Sequence, residues 1–242
     1  MRKTTWLAAL PLALALAASA QPVQFDMVRV PGGCYRMGSE SGEKHEKPVH
    51  EVCLPAFEIA RTEVTQGQWQ AVMGANPSRF QHGETNPVEM VSWHEAQEFI
   101  RRLNAAGGRY RLPTENEWEY ACRSGGKEET FAGTDRPEEL GLVAWYNKAE
   151  AGNVTHPVAT KRANGLGLHD MSGNVWEWTS SHFDSPYGNP QVEAKYVIRG
   201  GSWDGKANYR ALRHPQPLRA RAARPAHRHP PCARCRPMIS RR

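Results

Sequence analysis

The side chains in this sequence with most capacity for chemistry are five cysteines and ten histidines, spread over 242 residues. The histidines do not form a metalloprotease pair: His94-Glu95 lacks a second imidazole four residues on. No Gly-x-Ser-x-Gly elbow and no phosphate loop occur, and Ser39 in Gly38-Ser39-Glu40-Ser41-Gly42 lacks the elbow pattern. These absences argue against a serine hydrolase and against a nucleotide-driven machine. Cys34 and Cys53 lie in two strand-like segments joined by a polar connection rich in Glu, Lys and Gly. A two-strand ribbon brings their thiols together, so a Cys34–Cys53 disulfide is expected, with two buried free thiols as the alternative. Cys122 follows Ala121 in a helical segment and reads as a small core residue. His227, His229, Cys232 and Cys235 are too cramped for an ordinary zinc module.

The elements that must position these groups begin after a targeting segment. Arg2 and Lys3 precede an apolar run from Trp6 to Ala18, and Ala18-Ser19-Ala20 is a small-x-small cleavage site. Residues 1–20 therefore read as a signal peptide, cleaved near Ala20, and the mature chain as periplasmic or secreted. That compartment is oxidising, in keeping with a disulfide. No later stretch is apolar enough to span a bilayer. The net charge of +6 is concentrated at one end: residues 215–242 hold eight arginines and no acid, which leaves 6 − 8 = −2 for the rest. The basic balance is thus a property of the tail, and without aromatics for base stacking the tail is not expected to bind nucleic acid.

Three helix starts carry a hydroxyl with an acid or amide three residues on: Thr65 with Gln68, Ser92 with Glu95, and Thr114 with Glu117. In the second, Trp93, Ala96, Phe99, Ile100 and Leu103 share one face, and Gly107-Gly108 should end it. The third places Trp118 and Ala121 inward and Glu119 outward. Short strands are expected at 27–30, 56–60, 175–179 and 196–199, with long polar loops near 125–140 and 180–195. From about Pro215 the composition turns to Arg, Pro, Ala and His. The expected organisation is one domain over residues 21–213 and a basic tail over 214–242, disordered or read out of frame.

Five segments occur in a distinctive order: Ile59-Ala60-Arg61-Thr62-Glu63-Val64-Thr65, Pro87-Val88-Glu89-Met90-Val91-Ser92-Trp93, Arg111-Leu112-Pro113-Thr114-Glu115-Asn116-Glu117-Trp118, Gly165 to Trp178, and Arg199-Gly200-Gly201-Ser202-Trp203. Over about residues 25–213 the chain resembles the formylglycine-generating enzymes, or sulfatase-modifying factor domains. The resemblance implies a loop-rich α+β fold related to C-type lectin-like folds. It also implies a family whose best-known members oxidise a sulfatase cysteine with copper and oxygen. Those members hold Cu(I) with two thiolates three and eight residues beyond the serine; counted from Ser202, Gly205 and Arg210 stand there. Neither is a soft ligand, so copper is not expected. A closing Gly-Phe-Arg strand that the family places after this loop is missing from the tail.

Matching the family's pocket, Trp178, Ser202 and Trp203 are the pocket candidates, with a core tryptophan and a plain Gly-Gly turn as the alternative. The family's Gly-Asn-x-Trp-Glu turn wraps calcium with carbonyls and a carboxylate, which carries over to Gly173, Asn174, Val175 and Glu177. A second such site maps near Asn147. The functional expectation is maturation or modification of an exported partner without copper thiol chemistry. The alternatives are a non-catalytic ligand- or peptide-binding module and a formylglycine-generating oxidase.

Overall fold

The computed structural model describes residues 23–40, 46–146, 152–182, 196–205 and 235–241. The signal segment, Asn147, Arg210, His227, His229 and Cys232 lie outside them. The chain opens with strands β1 (Met27–Val30), β2 (Gly33–Met37), β3 (His50–Leu54) and β4 (Phe57–Ala60). Helices α1 (Gln66–Met73), α2 (Trp93–Ala105) and α3 (Glu115–Cys122) follow, then a short 3-10 turn at Pro137–Glu139 and α4 (Leu140–Val143). Strands β5 (Trp176–His182), β6 (Tyr196–Arg199), β7 (Cys235–Pro237) and β8 (Ser240–Arg241) complete the described chain.

These form two three-stranded sheets, ordered β1-β4-β8 and β6-β5-β7, and a two-stranded ribbon, β2-β3. The fold is α+β and loop-rich, as expected. All three helix starts carry the reciprocal cap: Thr65, Ser92 and Thr114 accept from the third helical N–H, and Gln68, Glu95 and Glu117 accept from the capping residue's own N–H. Each cap satisfies two donors that the helix cannot. The apolar face expected for α2 is the buried one, through Ala96, Phe99, Ile100 and Leu103. Its end is set by Gly107, whose φ of 95° belongs to the left-handed region.

Two apolar clusters make the core. One packs the β1–β4 strands against Trp118, Tyr120, Leu168 and Met171 of α3 and the turn before β5. The other packs α1 and α2 against Trp178 and Ile198 of β5 and β6. In the tail the structure departs from expectation. β7 pairs in parallel with β5, and β8 pairs with β4. Met238 belongs to the first cluster and Ile239 to the second. Residues 235–241 are therefore integral to the fold, and a closing strand is not missing. Two adjacent apolar residues among arginines and prolines carry no periodicity, so the sequence gives no local signal for them.

Glu119 also differs from expectation. It is buried, at 1 % exposure, because β6 covers that side of α3. There it pairs with Arg123 and with Arg199, and its carboxylate also accepts the Gly38 N–H from the end of the ribbon. A charge in this setting is tolerated only because opposite charge and donors surround it.

Candidate functional site

The turn before β5 and the loop after β6 meet through backbone hydrogen bonds. The Gly173 N–H donates to the Gly200 carbonyl at 2.8 Å, and the Trp203 N–H donates to the Asn174 carbonyl at 2.7 Å. Gly173 has φ of 97°, and a Cβ there would lie 2.2 Å from the Trp145 carbonyl oxygen, so only glycine fits. Asn174 is fully buried and its side chain is spent on structure. It donates to Glu63 at 2.7 Å and to the His156 carbonyl at 3.2 Å, and it accepts the His156 N–H at 3.1 Å. His156 stacks on Trp145 at 3.6 Å, and the Lys161 ammonium stands 3.9 Å from the centre of the same ring.

The three pocket candidates separate. Trp178 lies in the second core cluster, its indole N–H donating to the Val91 carbonyl at 3.0 Å; this is the structural role. Ser202 is buried and donates its hydroxyl to Asp204 at 2.7 Å. Trp203 is half-buried and meets Phe80 edge-on at 5.4 Å, where Arg79 and His82 also contact the Phe80 ring. Ser202 and Trp203 thus sit with Asn174, Asp204 and an aromatic rim, whereas Trp178 faces the helices. The Gly205 N–H donates to the Ser202 carbonyl at 3.0 Å. Gly205 therefore closes a tight turn and brings no side-chain donor to a metal.

Of the calcium candidates, Glu177 offers a buried carboxyl, and Asp170 offers a second. Glu177 is wholly buried, and the Trp118 indole N–H donates to it at 2.8 Å. Burial, then the charge of Asp170, pushes the Glu177 carboxyl up to about 8. Burial likewise raises Asp170 to about 6. One Asp170 oxygen accepts the Ala159 N–H at 2.8 Å; the other has no hydrogen-bond partner among the described residues. Two carboxyls whose ionised forms are penalised by burial, one with an orphan oxygen, are groups that an oxygen-ligated cation could use. Gly173 and Val175 lie between the two in sequence, in the turn that leads into β5. Both Asn174 amide protons are taken by Glu63 and His156, and its oxygen already accepts the His156 N–H. Asp170 escapes a reading of the sequence because it stands beside His169 with the next acid, Glu177, seven positions on; its one signal is a polar pair between Leu168 and Met171.

Among the described residues, one group of three metal-ligating side chains has its ligand atoms close together: Cys34, Glu51 and Cys53, within 4.8 Å of one another. The two sulfurs are joined in the expected disulfide. Disulfide sulfurs are not thiolates, so in this state the group is not a strong metal site. Cys122 is buried, and burial holds its thiol protonated.

The family model of the sulfatase-modifying factor enzyme 1-like domain matches residues 15–234. The chain belongs to this sulfatase-modifying factor family. The chaperone protein LppX of Paenibacillus barcinonensis is 32% identical over 89% of this chain and 93% of its own length. The formylglycine-generating enzyme of Streptomyces coelicolor is 31% identical, over 73% of this chain and 78% of its own. An inactive C-alpha-formylglycine-generating enzyme 2 from Bos taurus is 29% identical, over 77% and 80%. Among solved structures, Treponema denticola variable protein 1 superposes with a TM-score of 0.76 at 28% identity, over 91% of this chain and 96% of that one. Members of the sulfatase-modifying factor family thus include both enzymes and proteins named inactive. The loop from Ser202 to Gly205 is where this member must be judged. No helix among its described residues is long and apolar enough to cross a membrane.

Proposed function

We propose that this chain is a periplasmic or secreted member of the family that assists maturation of an exported partner by binding it, without copper thiol chemistry. The observation that carries the reading is Gly205. It stands where the first copper thiolate would be and is folded into a turn on Ser202. The donors nearest that turn are the Ser202 hydroxyl and the Asp204 carboxylate, which are hard ligands and hold cuprous ion poorly. The half-buried Trp203 and Phe80, with Arg79 and His82, offer an amphipathic surface of the kind that grips peptide. The naming of one relative as a chaperone agrees with this. The signal-like first twenty residues support export. A structural calcium ion between Asp170 and Glu177 belongs to the same reading.

The test has two arms. The oxidised, mature protein is supplied with Cu(I), oxygen and a Cys-x-Pro-x-Arg peptide, and the peptide is followed by mass spectrometry. No aldehyde is expected; aldehyde formation would reinstate the oxidase. In a strain lacking the gene, the folded amount of at least one exported protein should fall and return when the wild-type chain is restored. Unchanged levels of every exported protein would remove the maturation role.

A further inference from the structure

The β2–β3 ribbon carries a feature that partner binding does not use. Its register sets Cys34 opposite Cys53 and Arg36 opposite Glu51. Side chains alternate along a strand, so these four share the outer face of the ribbon. All four are exposed, while Tyr35 and Met37 on the other face are buried. The Glu51 carboxylate does not pair with Arg36. It lies instead 3.8 Å from the Cys53 sulfur.

We propose that this face is a redox-gated site for a thiophilic divalent ion of the zinc class. A dithiol reductant transfers two electrons and two protons to the Cys34–Cys53 bond. The reductant closes to its own disulfide, and the ribbon gains two thiols. The incoming ion displaces both thiol protons and takes two sulfur ligands and one Glu51 oxygen, with water in the fourth position. The ligand atoms already lie within 4.8 Å of one another. Two sulfurs on one tetrahedral zinc stand about 3.8 Å apart. Rotation about the two Cα–Cβ bonds opens that separation while the strand pairing holds both backbones in place.

Charge selects the ion. Two thiolates and a carboxylate carry three negative charges. A divalent ion leaves one, which Arg36 across the ribbon can offset; cuprous ion leaves two. Calcium is excluded because it takes oxygen ligands. In the disulfide form the sulfurs have no thiolate character and the site is closed.

The experiment uses the mature chain with Cys232→Ser and Cys235→Ser, so that the ribbon thiols and buried Cys122 are the only cysteines. The protein is reduced with a phosphine, desalted without air, checked for native circular dichroism and titrated with Co2+ and then Zn2+. The expected result is one thiolate-bound ion per chain, with a thiolate-to-cobalt charge-transfer band that zinc abolishes. Reoxidation should remove the band. Cys34→Ser should remove it in the reduced protein, and Glu51→Gln should weaken binding while leaving the band. The proposal is overturned if the reduced chain binds no ion, if it loses its fold on reduction, or if Cys34→Ser binds with the same band. Binding by the reduced chain without a charge-transfer band would place the ion at an oxygen site elsewhere and overturn the proposal. None of these outcomes depends on whether the chain assists a partner.

Discussion

At the scale of single residues, the buried charges around α3 decide most. Glu119 neutralises Arg123 and Arg199, both of them buried. Replacing Glu119 with alanine leaves Arg123 without this counter-charge and Arg199 with the longer Glu115 contact at 3.6 Å, and we expect a loss of about 3–5 kcal/mol, measured by urea unfolding. Glu117 is a milder case. Arg111 grips both its oxygens at 2.7 Å, and the Thr114 N–H adds a donor at 2.9 Å. Burial pushes this carboxyl up, but the Arg111 pair and the cap outweigh it and hold it below the usual range. A carboxyl lowered in the folded state stabilises the protein above its unfolded pKa and loses that effect as pH falls through its folded value. Glu117→Gln should therefore cost about 1–2 kcal/mol at neutral pH. The gap to the wild type should narrow as the pH falls below the ordinary carboxylate range, where glutamic acid and glutamine become alike. The cap role of Glu117 was legible, because the Thr114 partner is three residues away. The burial of Glu119 was not, because its partner Arg199 is 80 positions distant and helical spacing alone pointed Glu119 toward solvent.

At the scale of elements, legibility follows the range of the forces. The caps of α1, α2 and α3 and the apolar face of α2 are local patterns, and the structure has them where the sequence put them. The ribbon disulfide was legible because two strands joined by one polar connection leave little choice of partner. β7 and β8 are short, and what recruits them is open sheet edge and the gap between two cores. Met238 and Ile239 are adjacent in sequence yet enter different clusters, so each seals one. Ile239→Ala should cost about 2–4 kcal/mol, read from the same urea midpoint. A chain ended at residue 234 should do worse. It would expose the β4 edge that pairs with Ser240 and Arg241 and the β5 edge that pairs with 235–237. Open edges template association, so size-exclusion chromatography should show aggregates instead of the peak given by the full chain. A soluble, cooperative fold at full stability would show that these strands contribute nothing.

At the scale of the whole molecule, the turn before β5 is where both cores, the loop after β6 and α3 converge, and a cation there would act on all of them. Asp170 comes from the turn and Glu177 from β5, while Trp118 of α3 holds Glu177 and Gly173 is bonded to Gly200. Without an ion, folding must bury two carboxyls whose charged forms burial disfavours. With calcium, the same pair becomes a link between the turn and the strand. Anything that binds only the folded state stabilises it in proportion to the logarithm of its concentration. At about one hundred times its dissociation constant calcium should add roughly 2.7 kcal/mol, or about 5–10 °C in Tm for a chain of this size. Differential scanning fluorimetry in calcium and in chelator measures this directly. The double variant Asp170→Asn, Glu177→Gln sets the sign. It removes both ionisable groups and keeps an oxygen that can accept from Ala159 and from Trp118, so in chelator it should melt no lower than the wild type, and it should lose the response to calcium. If calcium still raised its Tm by the wild-type amount, the ion would be bound elsewhere. A wild type indifferent to calcium would mean that the paired carboxyls are held by protons alone, and the turn would then owe its shape to Asn174 and Gly173 without a metal.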